Sequence, residues 1–360
     1  MKKVAQVWDF CATSTAAFAV ATLVALAPAN AGSVSNPVGW KMVPTGKGYG
    51  VLVPQAQGAS PPGYLGTPIN PGPNGVNYAG GPIMSGRPNI YFIYYGAWAD
   101  ALGKSIVLNF GQHIGGSPYF LINSSYFENT LGFNNYVTGI LNFVGSVTDV
   151  NSQGAGVTNL SDTQILNIVK NFINNNNLLF PNGTSDPNGI YVVLGDSNIN
   201  QHNDANTQSL CNNYCGWHNH ATVAGNDVKY SFIGNPAICS SITTIDSCIG
   251  HANNEVVSPN GDVGPDAMAS IIAHELSETV SDPDLNAWYA GDTAHENGDL
   301  CAYCFGSDCS ASNNPLIPTS SQNFSPVGNG SDFNVRIGTL RYLIQKMYLN
   351  ARGGLCSLTK

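Results

Sequence analysis

Two short runs constrain this chain more than anything else in it. Asn89-Ile90-Tyr91-Phe92-Ile93-Tyr94-Tyr95, closed by Gly96, and Gly189-Ile190-Tyr191-Val192-Val193-Leu194-Gly195 are almost wholly β-branched and aromatic. Segments of that length and composition, punctuated by glycine, read as buried strands. Val228-Lys229-Tyr230-Ser231-Phe232-Ile233 alternates and predicts a third. Helical spacing lies between and beyond them. It covers Ala101 to Phe110, the amphipathic stretch Ile165 to Ile173 behind the Ser161-Asp162 cap signal, Pro265 to Ser281, and a last segment near Ile337–Leu349. Strands interleaved with helices predict a layered α/β (α+β) fold, a single globular domain over 89–360.

The flanks behave differently. Residues 32–88 hold 10 of the 21 prolines and 13 of the 40 glycines, so they sustain neither helices nor central strands and are expected to form an extended arm. Before them, Met1-Lys2-Lys3, an apolar run from Ala16 to Leu26 and Ala29-Asn30-Ala31 have the order of a secretory leader, 1–31, cleaved after Ala31. The apolar run, about 11 residues, is short of the ~20 a span needs, and no later segment is longer, so no membrane span is expected.

Composition agrees with export. Only 10% of the 360 residues are charged and 43% are hydrophobic, which excludes a disordered chain. A net charge of −9 with 13 Lys and Arg excludes a nucleic-acid binder, because phosphate contacts need cations. Of nine cysteines, Cys11 falls in the leader. Cys211, Cys215, Cys239, Cys248, Cys301, Cys304, Cys309 and Cys356 remain, an even set that reads as disulfides, with no pairing chosen among the alternatives. Cys301-x-x-Cys304 is half of a structural zinc motif but has no matching second pair nearby.

The chemistry concentrates in one segment. The chain has only five Glu, and three of them, Glu275, Glu278 and Glu296, fall close together; nine of the 22 acids lie in 262–299. Pro265 suits the first turn of a helix, Asp266 the positive end of its dipole, and Asp282-Pro283 its end. Within it, His274-Glu275-Leu276-Ser277-Glu278 puts His274 and Glu278 four apart, on one face. Such a pair can hold one cation from successive turns, with Glu275 beside it as general base. This is the logic of H-E-x-x-H with the second His replaced by Glu, and it suggests a zincin-like site.

With seven His and five Glu in the chain, the match is rare by chance. The alternative is a wet helix face carrying two Glu, but like charges at this spacing stabilise nothing. A third ligand is expected from His295-Glu296-Asn297-Gly298-Asp299, where Glu296 and Asp299 each offer an oxygen, and a disulfide at Cys301 would pin that loop. His218-Asn219-His220, if on a strand, places both imidazoles on one face. They could line the same site or stand as exposed surface histidines. One His with two carboxylates is a hard donor set, leaving manganese, iron and calcium beside zinc as the divalent metal.

The chain also resembles the EXORDIUM family, or phosphate-induced protein 1. Gly80-Gly81-Pro82-Ile83-Met84-Ser85, Asn89 to Trp98, Cys211-x-x-x-Cys215-Gly216-Trp217-His218, and the stretch from Pro259 through His274-Glu275-Leu276-Ser277-Glu278 to Asn286-Ala287-Trp288-Tyr289-Ala290-Gly291 and Asp299-Leu300-Cys301 are similar to its motifs, over about residues 80–356. Tyr94 stands where plant members usually have Trp, and Cys304 is an added cysteine. The resemblance implies an extracellular protein connected in plants with cell expansion and hormone response, and implies no substrate. Two functions are therefore expected. One is a secreted metal-dependent hydrolase acting on an extracellular peptide or glycan. The other is a non-catalytic extracellular protein that binds cell-wall glycan or a receptor.

Overall fold

In the computed structural model the described residues are 75–130, 132–176, 178–239, 248, 258–290, 295–302, 304–306, 325–326, 331–351 and 354–360. The expected leader and the arm up to residue 74 lie outside them, as does Cys309.

The predicted buried strands form the middle of one five-stranded sheet. Its strands, numbered alone, are β1 (Asn89–Tyr95), β2 (Asn142–Asp149), β3 (Gly189–Gly195), β4 (Gly216–Val223) and β5 (Asn226–Ile233). The order is β2-β1-β3-β5-β4, with all neighbours parallel except β4, which pairs antiparallel with β5 at one edge. Helix α1 (Ala101–His113) lies in the crossover from β1 to β2 and α2 (Asp162–Asn175) in that from β2 to β3. Asp100 caps α1 through Leu102 N, and Ser161 with Gln164 forms the capping box of α2.

Strand alternation sorts the helices onto two faces. A Cβ on Gly111 of α1 would meet the Phe92 ring, whereas Phe172 of α2 packs on Tyr91 and Tyr191. Tyr91 and Phe92 point to opposite sides of β1, so α1 and α2 cover opposite faces. The register extends each face across the sheet. Phe92, Val192, Ser231 and His218 form one row, on the α1 side, and Tyr91, Tyr191, Tyr230 and Asn219 form the other.

The helix α3 (Val263–Ser281) lies on the α1 side, packed on α1, β4 and β5. It starts two residues before the expected Pro265, behind Asp262. Proline is tolerated at this third position because the first turn's N–H groups have no intrahelical acceptor. From Gly264 to Ser281 every residue is buried, so α3 is a core helix with no wet face. It is also aligned with β4. A Cβ on Gly216 would lie 2.6 Å from Ile271 Cγ2 and 3.2 Å from Glu275 Oε1, Glu278 faces His218 further along, and Asp284, just past the helix, lies 3.9 Å from His220.

The expected helix near Ile337–Leu349 is absent. That segment holds short strands, Val335–Ile337 against Leu340–Tyr342, and Met347–Leu349 against Leu355–Ser357. Ile337, Leu340, Ile344 and Met347 imitate a helical stripe. Gly338, at φ +59°, instead supplies the left-handed residue of a two-residue hairpin turn and breaks the helix there. The end of the Pro/Gly-rich stretch packs on the segment after α3. Asn77–Tyr78 pairs antiparallel with Trp288–Tyr289, and Met84 N donates to Val280 O.

Candidate metal centre

The site is assembled by α3, β4 and the loop 295–302. The helix turn places His274 and Glu278 together, with His274 Nε2 2.9 Å from Glu278 Oε1. Asp299 closes this group, its Oδ1 3.5 Å from His274 Nε2, while its backbone N–H donates to Glu278 Oε1. A second group forms on the other side of Glu278. His218 Nε2 lies 3.2 Å from Glu296 Oε2 and 3.7 Å from Glu278 Oε2. Within each triad, His274–Glu278–Asp299 and His218–Glu278–Glu296, the donor atoms all fall within 4.8 Å of one another.

Local structure explains the approach. Gly298 sits where a Cβ would be 2.8 Å from Glu278 Oε1 and 2.9 Å from the His274 ring, so a larger residue would push those two side chains out of place. The loop is then tied down by Gln345 Nε2 donating to Gly298 O, by Asn297 Nδ2 donating to Asn123 Oδ1 and Ser277 O, and by the Cys301–Cys356 disulfide. Cys211–Cys239 and Cys215–Cys248 brace the entry to β4, and Cys304 is disulfide-bonded too, which removes Cys301-x-x-Cys304 as a zinc motif.

The sequence pairing of His218 with His220 divides. Both are on the α3 face of β4, but His218 is fully buried in the second triad, correcting the exposed alternative. His220 is one-third exposed and stands with Asp227 and Asp284, both of which bond the Lys229 ammonium. That group already holds a cation of the chain, the Lys229 ammonium, between its two acids. Glu275 is fully buried beside Gly216 and belongs to neither triad. Sequence reasoning missed Gly216 and Gly298, whose role shows only when their missing Cβ is placed. It also read Asp282 only as a helix end. Asp282 is buried, with Oδ1 accepting the N–H groups of Asn286 and Ala287, and it adds to the negative field on Glu296.

Electrostatics describe a site short of positive charge. Burial pushes Glu278 up to about 7, with Asp299 adding to it while His274 opposes, and burial followed by Glu278 raises Glu296 well above the carboxylate range. Burial lowers His218 to about 3, helped by His274. Burial also opposes charge on His274, but Glu278, Asp299 and Glu275 together outweigh it and hold that imidazole well above its usual value. No Lys or Arg among the described residues pairs with Glu278, Glu296 or Asp299.

The donors also fit a metal in detail. His274 Nε2 comes within 2.9 Å of Glu278 Oε1 without a directed hydrogen bond, and His218 Nδ1, His274 Nδ1, Glu278 Oε2 and Glu296 Oε1 have no hydrogen-bond partner among the described residues. Buried polar atoms are rarely left so. Imidazole nitrogens and carboxylate oxygens converging in this way can hold a divalent ion.

Comparison with known proteins places these features in one family. Protein EXORDIUM-like 5 of Arabidopsis thaliana is 31% identical over 253 residues, 64% of this chain and 65% of that protein, so the match spans slightly under two thirds of that relative. Protein EXORDIUM-like 3 of the same plant is 27% identical over 292 residues, 76% of this chain and 80% of that protein. No solved structure matches. Residues 76–357, from the strand that pairs with Trp288–Tyr289 to the last strand of the C-terminal hairpin, match the phosphate-induced protein 1 conserved region, and the chain belongs to the EXORDIUM, or phosphate-induced protein 1, family.

Proposed function

We propose that this chain is a secreted, zincin-like metal-dependent hydrolase, exported by the leader 1–31, that acts on an extracellular peptide or glycan. His274, Glu278 and Asp299 hold the divalent ion, with His218 and Glu296 completing the donor set; two imidazoles favour zinc more than the sequence motif alone did. The observation that carries this reading is the convergence of His274, Glu278 and Asp299 in a buried space where, among the described residues, no Lys or Arg pairs with the carboxylates. When bound, the ion supplies Lewis-acid polarisation and lowers the pKa of water. In this reading Glu275, next in the chain to His274, accepts the proton. The sheet supports a peptide substrate, because β4 is an edge strand beside α3 and an extended chain pairing along it would lie next to the same helix.

A second reading has its own observation. His218, His274, Glu275, Glu278 and Glu296 expose no surface, which suits a closed metal site bracing a non-catalytic extracellular protein that binds glycan or a receptor. Elemental analysis of the secreted protein before and after chelation comes first, and no metal would refute both metal-based readings. Glu275→Gln and Glu278→Gln then separate them. In the hydrolase, Glu275→Gln keeps the metal and loses ~10²-fold or more in activity on peptide or glycan panels, while Glu278→Gln loses the metal. If Glu275→Gln changes neither, the closed-site reading stands.

A further inference from the structure

We infer that the centre holds two divalent cations, bridged by Glu278, and this rests on the metal reading just given. The two triads share one residue only, and they use its two oxygens separately. Glu278 Oε1 faces His274, and Oε2 faces His218. Each side has its own imidazole and its own terminal carboxylate, His274 with Asp299 and His218 with Glu296. Every one of these side chains is at least nine-tenths buried, and Glu278 Oε2 and Glu296 Oε1 have no hydrogen-bond partner among the described residues.

Donor spacing matches one ion per triad. Bonds of 2.0–2.2 Å in a tetrahedral site put neighbouring donors about 3.4 Å apart. The nitrogen–oxygen separations are 2.9 and 3.5 Å in one triad and 3.2 and 3.7 Å in the other. A carboxylate that gives one oxygen to each ion is the usual bridge in paired sites, where the ions stand about 3.5–4 Å apart.

Charge favours the same count. A single divalent ion leaves the three carboxylates Glu278, Glu296 and Asp299 one negative charge in excess in a buried space. Buried Glu275 and Asp282 add to that excess, so a second divalent ion is favoured over one. The third group of possible ligands, His220–Asp227–Asp284, is not a competitor for the second ion because the Lys229 ammonium already bonds both of its acids.

The test is metal stoichiometry on the full-length secreted chain. The protein is stripped with chelator and reloaded with Zn²⁺ alone or Mn²⁺ alone. Bound metal is counted by mass spectrometry, and the Mn²⁺ form is read by electron paramagnetic resonance for a spin-coupled pair. The expected result is two ions per chain and a coupled Mn²⁺ signal. Glu296→Gln and Asp299→Asn should each fall to one ion and an uncoupled signal, and Glu278→Gln should hold fewer than either. One ion in the wild-type chain would overturn this inference and leave the hydrolase reading intact, and no ion would overturn both. Two ions that both survive Glu296→Gln would overturn it by placing the second elsewhere. The wild-type count and its spin coupling do not depend on the folding of any variant.

Discussion

Replacing Gly298 by alanine tests the centre through one added methyl group. Gly298 has φ −73° and ψ −43°, an ordinary helical conformation, so alanine meets no backbone strain there. Restricting the unfolded chain would on its own stabilise the fold by about 0.4–1 kcal/mol. The cost is local. The new Cβ would stand 2.8 Å from Glu278 Oε1 and 2.9 Å from His274 Cδ2 and Cε1. Ordinary contacts of this kind are about 3.5–4.0 Å, so the two side chains must give way by roughly 0.6 Å or more. Both are fully buried, and over-packing of that degree costs about 1–3 kcal/mol. The net expectation for the metal-free protein is a loss of about 1–2 kcal/mol, read from urea unfolding. The effect on metal is larger in proportion. Donor positions are held to about ±0.2 Å in a working site, so a 0.6 Å displacement should weaken binding at least ~10-fold in competition with a chromogenic chelator. Gly145→Ala is the control, because nothing lies within 4 Å of a Cβ there, and it should leave affinity unchanged. If Gly298→Ala binds metal with wild-type affinity, His274 and Glu278 do not act together as donors and the reasoning fails.

Metal-free protein should lose stability as pH rises from about 6.5 to 8. Glu278 and Asp282, each raised to about 7 by burial, hold protons there that the unfolded chain has already released. His218, depressed to about 3, works in the opposite direction, but only below its unfolded value of 6.5. Metal-loaded protein should show no such fall, since a cation favours the ionised carboxylates. A metal-free melting temperature that is flat or rising across this window contradicts the assignment. Cys301→Ser with Cys356→Ser opens a bridge of sequence separation 55 and should cost up to about 4 kcal/mol in urea, together with weaker metal binding because the Asp299 loop is released. Unchanged metal affinity would mean that the loop is held without it. Asn123→Ala removes the buried amide that bonds Ser277 Oγ and Asn297, and should cost about 1–3 kcal/mol; a loss under 0.5 kcal/mol would show those groups re-paired.

How much of this was legible in the sequence depended on range. The strands around Ile90–Tyr95 and Ile190–Leu194 declared themselves because a strand buried on both faces is apolar at every position. The helix at Ile165–Ile173 did so because one face is wet. The segment after Ile337 misled because four apolar residues at helical spacing outweighed a single glycine, and only strand pairing shows that Gly338 turns the chain. In the site, His274 and Glu278 were readable because their proximity is local, four residues along one helix. Asp299 was readable as one of two candidates. His218 was not separable from His220 by any local rule. The register that puts His218 opposite Ser231, and the direction of α3 along β4, decide that the first enters the centre while the second meets Lys229. Glu296 was expected beside His274 and instead faces His218, which is how one expected triad became two.

The same helix contains its own comparison for the view that these acids merely brace the fold. Asp266, one turn into α3, is 1% exposed, and burial raises its carboxyl too. Its oxygens are nonetheless satisfied by Ser258 Oγ, Asn260 N and Asn260 Nδ2. That is how a buried structural carboxylate is accommodated, with donors brought to it by the surrounding loop. Asp282, at the other end, takes two backbone N–H groups on Oδ1, while its Oδ2 has no partner among the described residues. Between them, Glu278 receives a single N–H on Oε1 and none on Oε2, and Glu296 is met on one oxygen only by His218, with Oε1 left alone among the described residues. Serine, threonine and asparagine are plentiful in this chain and could have supplied the missing donors. The site has two imidazoles in their place, with both Nδ1 atoms unpartnered among the described residues and both Nε2 atoms turned toward carboxylate oxygens. Lone pairs facing lone pairs at about 3 Å repel unless a proton or a cation lies between them. Protons on His274 and on His218 Nε2 relieve two such contacts, and Glu278 Oε2 and Glu296 Oε1 still have no partner among the described residues, which a cation would supply.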